Sequence, residues 1–321
     1  MANDILISFF MFTTNLYPGD ADYTKLTVDR MRQMRDLGYT GFDLPIVPSP
    51  TPGSDAELEG YQQLRKAMVA AGLGDVKITT NVFATHTFDP SQPYAEQRKG
   101  ALEYLKSRVN ITNILGGEMM AGPLVVPYGG YPTTDLGDPI WSDALQDVLA
   151  VRYNNAKPIF NELAGYAQEK GVKIAIEPVC HWETPGPNLV GEVLDFAEDL
   201  PTQIGLCLDT AQVVLGSDGV GKTLSDISRA QEQGRLHYVH ISAPDRGTIK
   251  DCWIPWEIFM PPIQKDFSGP YLVEIFNAIP PFLNGLRLTR RKFWFGDDTP
   301  TAVPDAFQAA RESLEALRKH I

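Results

Sequence analysis

The chain has 321 residues, 43% of them hydrophobic, which is enough for one large domain or two average ones. Its formal net charge is −12, so the basic face that nucleic-acid binding requires is not expected. The three cysteines are odd in number and have no CxxC spacing, which argues against a disulfide framework and favours a reducing, cytoplasmic compartment.

Apolar runs alternate with amphipathic segments along the first half of the chain. The first run, Ile5–Met11, is too short to span a bilayer and has no basic leader, so we interpret it as a buried strand and expect no membrane partner. Ser54 is a candidate helix N-cap, with Glu57 three residues later. The pattern predicts helices at about Lys25–Leu37, 54–72 and Tyr94–Leu115, and strands at about Phe42–Val47, 76–84 and Met119–Val126.

The second half continues the alternation after a glycine- and proline-rich loop. A long helix is predicted at about Trp141–Lys170, four more strands follow, and a last helix lies at about Pro304–His320. Eight strands alternating with helices predict one α/β domain over residues 1–321, a closed (β/α)8 TIM barrel with extended loops near 128–142 and 278–300. An open doubly wound sheet is the alternative, but the chain lacks its GxGxxG fingerprint after the first strand.

Charged side chains end the last four predicted strands. KIAI is followed by Glu177, IGLCLD ends in Asp209, LHYVH ends in His240 and YLVE ends in Glu274. Such a residue alone could cap a strand or form an ion pair, but burying four charged groups is costly unless they are paired or bind a metal. The carboxyl ends of barrel strands surround one mouth, so we expect these side chains to meet there. Three carboxylates and one imidazole suit Mn²⁺, Mg²⁺ or Co²⁺.

This pattern resembles the sugar isomerase/epimerase superfamily of xylose-isomerase-like barrels, and within it the ketose 3-epimerases. The resemblance covers about residues 171–275 and implies that Glu177, Asp209, His240 and Glu274 bind one divalent metal, with Mn²⁺ as the first expectation. It also implies that the two glutamates are catalytic, moving a proton through a metal-stabilised enediolate of a keto-sugar or its derivative. Two further family positions, which hold substrate hydroxyls, match Glu183 and Arg246, each six residues after a metal ligand.

Two positions depart from the epimerase pattern. His181 stands where those enzymes have an arginine, and Gln212 stands where they have a histidine. We expect both side chains, together with His86 after the third strand, to contact substrate and to disfavour small free ketoses. Cys180 and Cys207 are interpreted as packing residues.

Two alternatives to a sugar isomerase or epimerase stay open at this point. The chain also resembles the catalytic subunit of C-glycoside deglycosidases, which are lyases of 3-oxo-glycosides that work with a small second subunit. A noncatalytic sugar-binding barrel is the other alternative, although it would not need two opposed carboxylates on the metal. In each case the expected ligand is a small sugar molecule, and we expect a homo-oligomer, with a small second subunit in the deglycosidase case.

Overall fold

Eight parallel strands form a closed barrel in which each strand pairs with the next and β8 pairs with β1. The computed structural model describes residues 3–138, 140, 142–276 and 304–321. The predicted (β/α)8 barrel is confirmed, while the predicted extended loop near 278–300 lies outside the described residues. The strands are β1 Ile5–Ser8, β2 Gly41–Pro45, β3 Lys77–Asn81, β4 Met119–Gly122, β5 Lys173–Ile176, β6 Ile204–Asp209, β7 Leu236–Ser242 and β8 Tyr271–Glu274.

At least one helix follows every strand, as a parallel barrel requires. None within the described residues is long and apolar enough to cross a membrane. The helices are α1 Ala21–Leu37, α2 Asp55–Ala70, α3 Ala95–Ile114, α4 Ala144–Glu169, α5 Val190–Ala197, α6 Thr210–Leu215, α7 Val220–Glu232, α8 Trp256–Gln264 and α9 Pro304–Leu317.

Side-chain caps determine where the first helices begin. The carboxylate of Asp20 accepts hydrogen bonds from the backbone N–H groups of Asp22 and Tyr23, so α1 begins four residues before the predicted Lys25. Helix α2 begins as predicted, because the Ser54 hydroxyl accepts the N–H of Glu57 at 3.4 Å.

The first four predicted strands extend two to four residues beyond the observed ones, and for two of them the local cause is clear. The first strand stops at Ser8, because the Ser8 hydroxyl accepts the N–H of Phe10 at 3.2 Å and Phe9–Met11 form a 3-10 turn. Strand β4 stops at Gly122 and not at Val126. Gly122 has φ +134°, and a Cβ there would lie 2.1 Å from the carbonyl oxygen of Val82, so this close approach requires glycine.

A small cluster of buried side chains fills the barrel interior, separate from the larger core between strands and helices. Side chains two residues apart on a strand point to the same side. Four members of the cluster each precede a predicted metal ligand by two residues and therefore form a floor below the ligands. These four are Ala175, Cys207, Tyr238 and Leu272.

Candidate metal and substrate site

The four predicted ligand side chains converge at the carboxyl end of the barrel. Glu177, Asp209, His240 and Glu274 each offer a donor atom, and these atoms all lie within 4.8 Å of one another. Asp209 and His240 are register partners on β6 and β7, and Glu274 ends β8. Glu177 follows β5 directly and donates its backbone N–H to Gly122 at 2.9 Å. All four residues are buried.

His240 is the most informative member of this cluster. Its imidazole is fully buried, and within the described part of the chain neither ring nitrogen has a hydrogen-bond partner. Nδ1 lies 3.6 Å from Oε1 of Glu274 and 3.9 Å from Oδ2 of Asp209, which is too far for a hydrogen bond. Burial lowers the pKa of His240 to about 4, so the ring is neutral and keeps a lone pair for a ligand.

The donor set fits a divalent cation. Around an ion such as Mg²⁺, with metal–oxygen distances of about 2.0–2.1 Å, adjacent donor atoms lie roughly 3 Å apart and opposite ones roughly 4.2 Å apart. The separations in the cluster are compatible with such a shell. When all three buried carboxylates are ionised, as metal ligation requires, one nearby guanidinium leaves excess negative charge that a bound cation would offset.

The electrostatic state of the carboxylates reflects this crowding. Burial raises the pKa of Glu177 and Glu274 well above the ordinary value, and the charge of Asp209 raises both further. Burial also acts to raise the pKa of Asp209, but the Arg246 guanidinium and His240 outweigh it and hold that pKa below its usual value. Asp209 is therefore the carboxylate that carries its charge most readily.

Arg246 lies inside the cluster. Its Nη1 donates to Asp209 Oδ2 at 3.0 Å, to Glu274 Oε2 at 3.1 Å and to the Ser242 hydroxyl at 2.7 Å. The backbone of Arg246 is left-handed with φ +58°, a strained conformation for a residue with a side chain. The guanidinium carbon also lies 5.3 Å from the ring centroid of Phe276. These contacts hold the guanidinium next to the carboxylates of the predicted metal ligands.

Gln212 connects the loop that carries Glu183 to the end of β6, where Asp209 lies. Its backbone N–H donates to Asp209 Oδ1 at 3.0 Å, and its side-chain oxygen accepts the N–H of Cys180 at 2.7 Å. The side-chain amide also approaches Glu183 Oε2 at 3.5 Å. Burial raises the pKa of Glu183, against the effect of Arg246. Gln212 is thus engaged within the protein on both sides, and its contact with substrate stays a prediction.

The two remaining predicted substrate residues lie at the periphery. His181 is exposed, its ring packs edge-on against Trp182, and its carbonyl accepts a hydrogen bond from the Tyr131 hydroxyl. His86 is also exposed. It lines a cleft of about 590 Å³ whose wall includes Asp89, Tyr131, Val148, Val151 and Arg152. Tyr131 therefore joins this cleft to the loop that carries His181, and the substrate roles of both histidines stay predictions.

A polar chain beneath the ligands was not predicted from the sequence. The Thr79 hydroxyl donates to Asp43 Oδ1 at 2.6 Å and lies 2.8 Å from the Tyr238 hydroxyl. The Tyr238 ring packs edge-on against His240 with centroids 4.6 Å apart. Burial raises the pKa of Asp43 to about 7. The available signals were an aspartate inside an apolar strand, GFDLP, and a tyrosine two residues before His240.

The closed barrel of eight parallel strands makes the protein a TIM barrel, and its acidic cluster lies at the carboxyl ends of the last four strands. The sequence profile of the xylose isomerase-like TIM barrel family matches residues 31–320. The chain belongs to that family.

Several known proteins are similar to this chain. An L-ribulose 3-epimerase from Methylomonas sp. (strain DH-1) is 27% identical over 203 residues, 61% of this chain and 64% of that enzyme. A ketose 3-epimerase from Arthrobacter globiformis is 22% identical over 303 residues, 93% of each chain. A crystal structure from Anabaena variabilis ATCC 29413, provisionally named a sugar phosphate isomerase/epimerase, is 50% identical with a TM-score of 0.93, covering 100% of this chain and 98% of that one.

Proposed function

We propose that the protein is a divalent-metal-dependent sugar isomerase or epimerase. The observation that carries the proposal is the buried, neutral His240 imidazole, aimed at three buried carboxylates without a hydrogen-bond partner among the described residues. Glu177, Asp209, His240 and Glu274 would hold the ion, with Mn²⁺ as the first expectation. When bound, a divalent ion supplies Lewis-acid polarisation of a sugar carbonyl. The 3-epimerase names of the two curated relatives support the same reaction class.

Proton transfer is assigned to Glu177 and Glu274. The two carboxylates come from strands three positions apart in the barrel, so they approach the cluster from different directions. One carboxylate removes the proton from the carbon next to the sugar carbonyl, giving the enediolate, and the other returns a proton to the opposite face. Glu183 and Arg246 orient the hydroxyl groups of the sugar from the neighbouring loops.

The substrate is proposed to be larger or more oxidised than a free ketose. Gln212 holds Glu183 from a position where ketose epimerases have a histidine, and the exposed His181 replaces their arginine. The cleft beside His181 combines the aromatic ring of Tyr131 with apolar side chains and an Asp89–Arg152 ion pair, a mixture that accepts an uncharged ring beyond the reacting sugar. His86 at its edge would contact that part of the substrate.

Solvent labelling tests this proposal. The metal-loaded protein is incubated in D2O with fructose, other ketoses and 3-oxo-glycosides, and the recovered sugars are examined by mass spectrometry. We expect deuterium next to the carbonyl of a substituted or oxidised sugar and little incorporation into fructose. Efficient epimerisation of fructose would contradict the substrate assignment, and no incorporation into any sugar of the panel would contradict the reaction.

The same experiment tests the second candidate, a lyase of 3-oxo-glycosides. The altered pair His181 and Gln212 and the cleft lined by His86 and Tyr131 favour it, because a glycoside carries a second group that needs space. Lyase action would release the aglycone, whereas epimerisation would label the sugar and leave the glycoside intact. A noncatalytic barrel would do neither.

A further inference from the structure

Cys207 lies in the floor of the cluster, directly below the four ligands. It precedes Asp209 by two residues on β6, so both side chains face the barrel interior. Its sulfur, a carboxylate oxygen of Glu177 and a ring nitrogen of His240 all lie within 4.8 Å of one another. Cys207 is fully buried, as are the other two residues of this set.

The register of the sheet explains this arrangement. Ile176 pairs with Leu206, so Glu177, the next residue, lies beside Cys207. On the other side, Cys207 pairs with Tyr238, and Asp209 pairs with His240. Glu177 and His240 therefore border two possible ligand sets, one completed above by Asp209 and Glu274 and one completed below by Cys207.

We infer that Glu177, Cys207 and His240 form an alternative site for thiophilic ions such as Zn²⁺ or Cd²⁺, in competition with the oxygen-rich site above it. Three protein ligands with one open position is a coordination that zinc accepts, and a thiolate selects softer ions than carboxylates do. Since Glu177 and His240 belong to both sets, one ion excludes the other. The thiol proton leaves to solvent when the sulfur binds the ion.

Two physical properties of the chain support this inference. His240 keeps both buried ring nitrogens unpartnered among the described residues, so it can turn a donor atom to either set. Within the described interior cluster Cys207 carries the thiol, and the other sulfur is the thioether of Met119, which cannot become an anionic ligand. The consequence is that thiophilic ions inhibit the proposed enzyme by drawing Glu177 and His240 away from Asp209 and Glu274.

This inference rests on the proposed metal site, but its test measures metal ligation and not sugar turnover. The chelator-treated protein is titrated with Cd²⁺ while the ultraviolet thiolate-to-cadmium charge-transfer band is followed. We expect the band in the unmodified protein and in the control Cys252→Ser. Cys252 lies in the loop between β7 and α8, where its half-buried thiol donates to the Ile249 carbonyl. The band should be absent in Cys207→Ser and Cys207→Ala, while both variants still bind Mn²⁺, measured by electron paramagnetic resonance.

A reciprocal variant completes the design. Asp209→Asn should lose Mn²⁺ binding and retain the cadmium–thiolate band, because Asp209 belongs only to the upper set. A band that persists in both Cys207 variants, or that is absent from the unmodified protein, would overturn the inference. If the Cys207 variants do not fold, the ¹¹³Cd chemical shift of the unmodified protein decides between sulfur ligation and a shell of oxygen and nitrogen alone. If the protein turns over no sugar, the cadmium experiment still stands.

Discussion

Asp209→Asn is expected to lose its divalent metal and its sugar turnover together. Asparagine has the shape of aspartate, and its side-chain oxygen can still accept the N–H of Gln212 at the start of α6. The substitution removes the charge of the carboxylate whose pKa is held low by Arg246, and it places an amide against that guanidinium. Loss of residues that merely support metal ligands costs about 10–100-fold in affinity, so loss of a ligand charge should cost at least about 100-fold.

Elemental analysis after equilibration with Mn²⁺ and gel filtration measures this effect, together with turnover of the best sugar in the panel. Asp226→Asn is a matched control, because Asp226 is also buried and ion-paired but lies on α7, outside the cluster. The control should retain its metal. Full metal occupancy and unchanged turnover in Asp209→Asn would remove Asp209 from the site.

Glu177→Gln and Glu274→Gln are expected to lower kcat by about 10²–10⁴-fold even when the metal is saturating, because glutamine cannot carry the transferred proton. Both residues are also proposed ligands, so metal loss alone would lower turnover and must be separated from the loss of proton transfer. Asp209→Asn provides the comparison, since Asp209 is proposed to bind metal without moving a proton.

The measurement is kcat as a function of added Mn²⁺ for all three variants. Excess Mn²⁺ should restore a larger share of turnover to Asp209→Asn than to either glutamate variant. Deuterium exchange at the carbon next to the carbonyl should be slow in both glutamate variants. Equal rescue of the three proteins would show that Glu177 and Glu274 act as ligands only.

The convergence of the four proposed ligand side chains could be anticipated from the sequence because of a topological constraint. In a closed parallel barrel, the carboxyl ends of all strands meet at one mouth, so polar residues ending successive strands must come together there. The separations of the donor atoms follow from that placement. The resemblance to the ketose 3-epimerases predicts that Arg246 binds substrate. In the structure Arg246 forms ion pairs with Asp209 and Glu274, and its contact with substrate stays a prediction.

Other features depended on contacts that a one-dimensional pattern does not contain. The Ser8 hydroxyl ends β1 through a single hydrogen bond, although the apolar run continues to Met11. Gln212 contacts Cys180 and Glu183, which lie 32 and 29 residues away in the sequence. Only the folded chain shows that these residues meet. The polar chain of Asp43 and Tyr238 crosses the barrel interior between strands far apart in sequence.

Cys207 illustrates the same limit for function. From the sequence it is interpreted as a small packing residue, and its burial agrees with that interpretation. Its position beside Glu177 and below His240 follows from the register of β5, β6 and β7, which brings a soft donor next to two proposed ligands of a hard ion. The register of the strands, and not the residue type, is what places the thiol among the proposed metal ligands.

Anomalous X-ray diffraction from crystals grown with Mn²⁺ would locate the proposed metal ion itself. We expect one strong anomalous peak at the carboxyl end of the barrel, bonded to Glu177, Asp209, His240 and Glu274. The peak should disappear in crystals of Asp209→Asn grown under the same conditions. A map with no peak among these four side chains, or with the ion bound elsewhere in the protein, would show that they do not form the metal site.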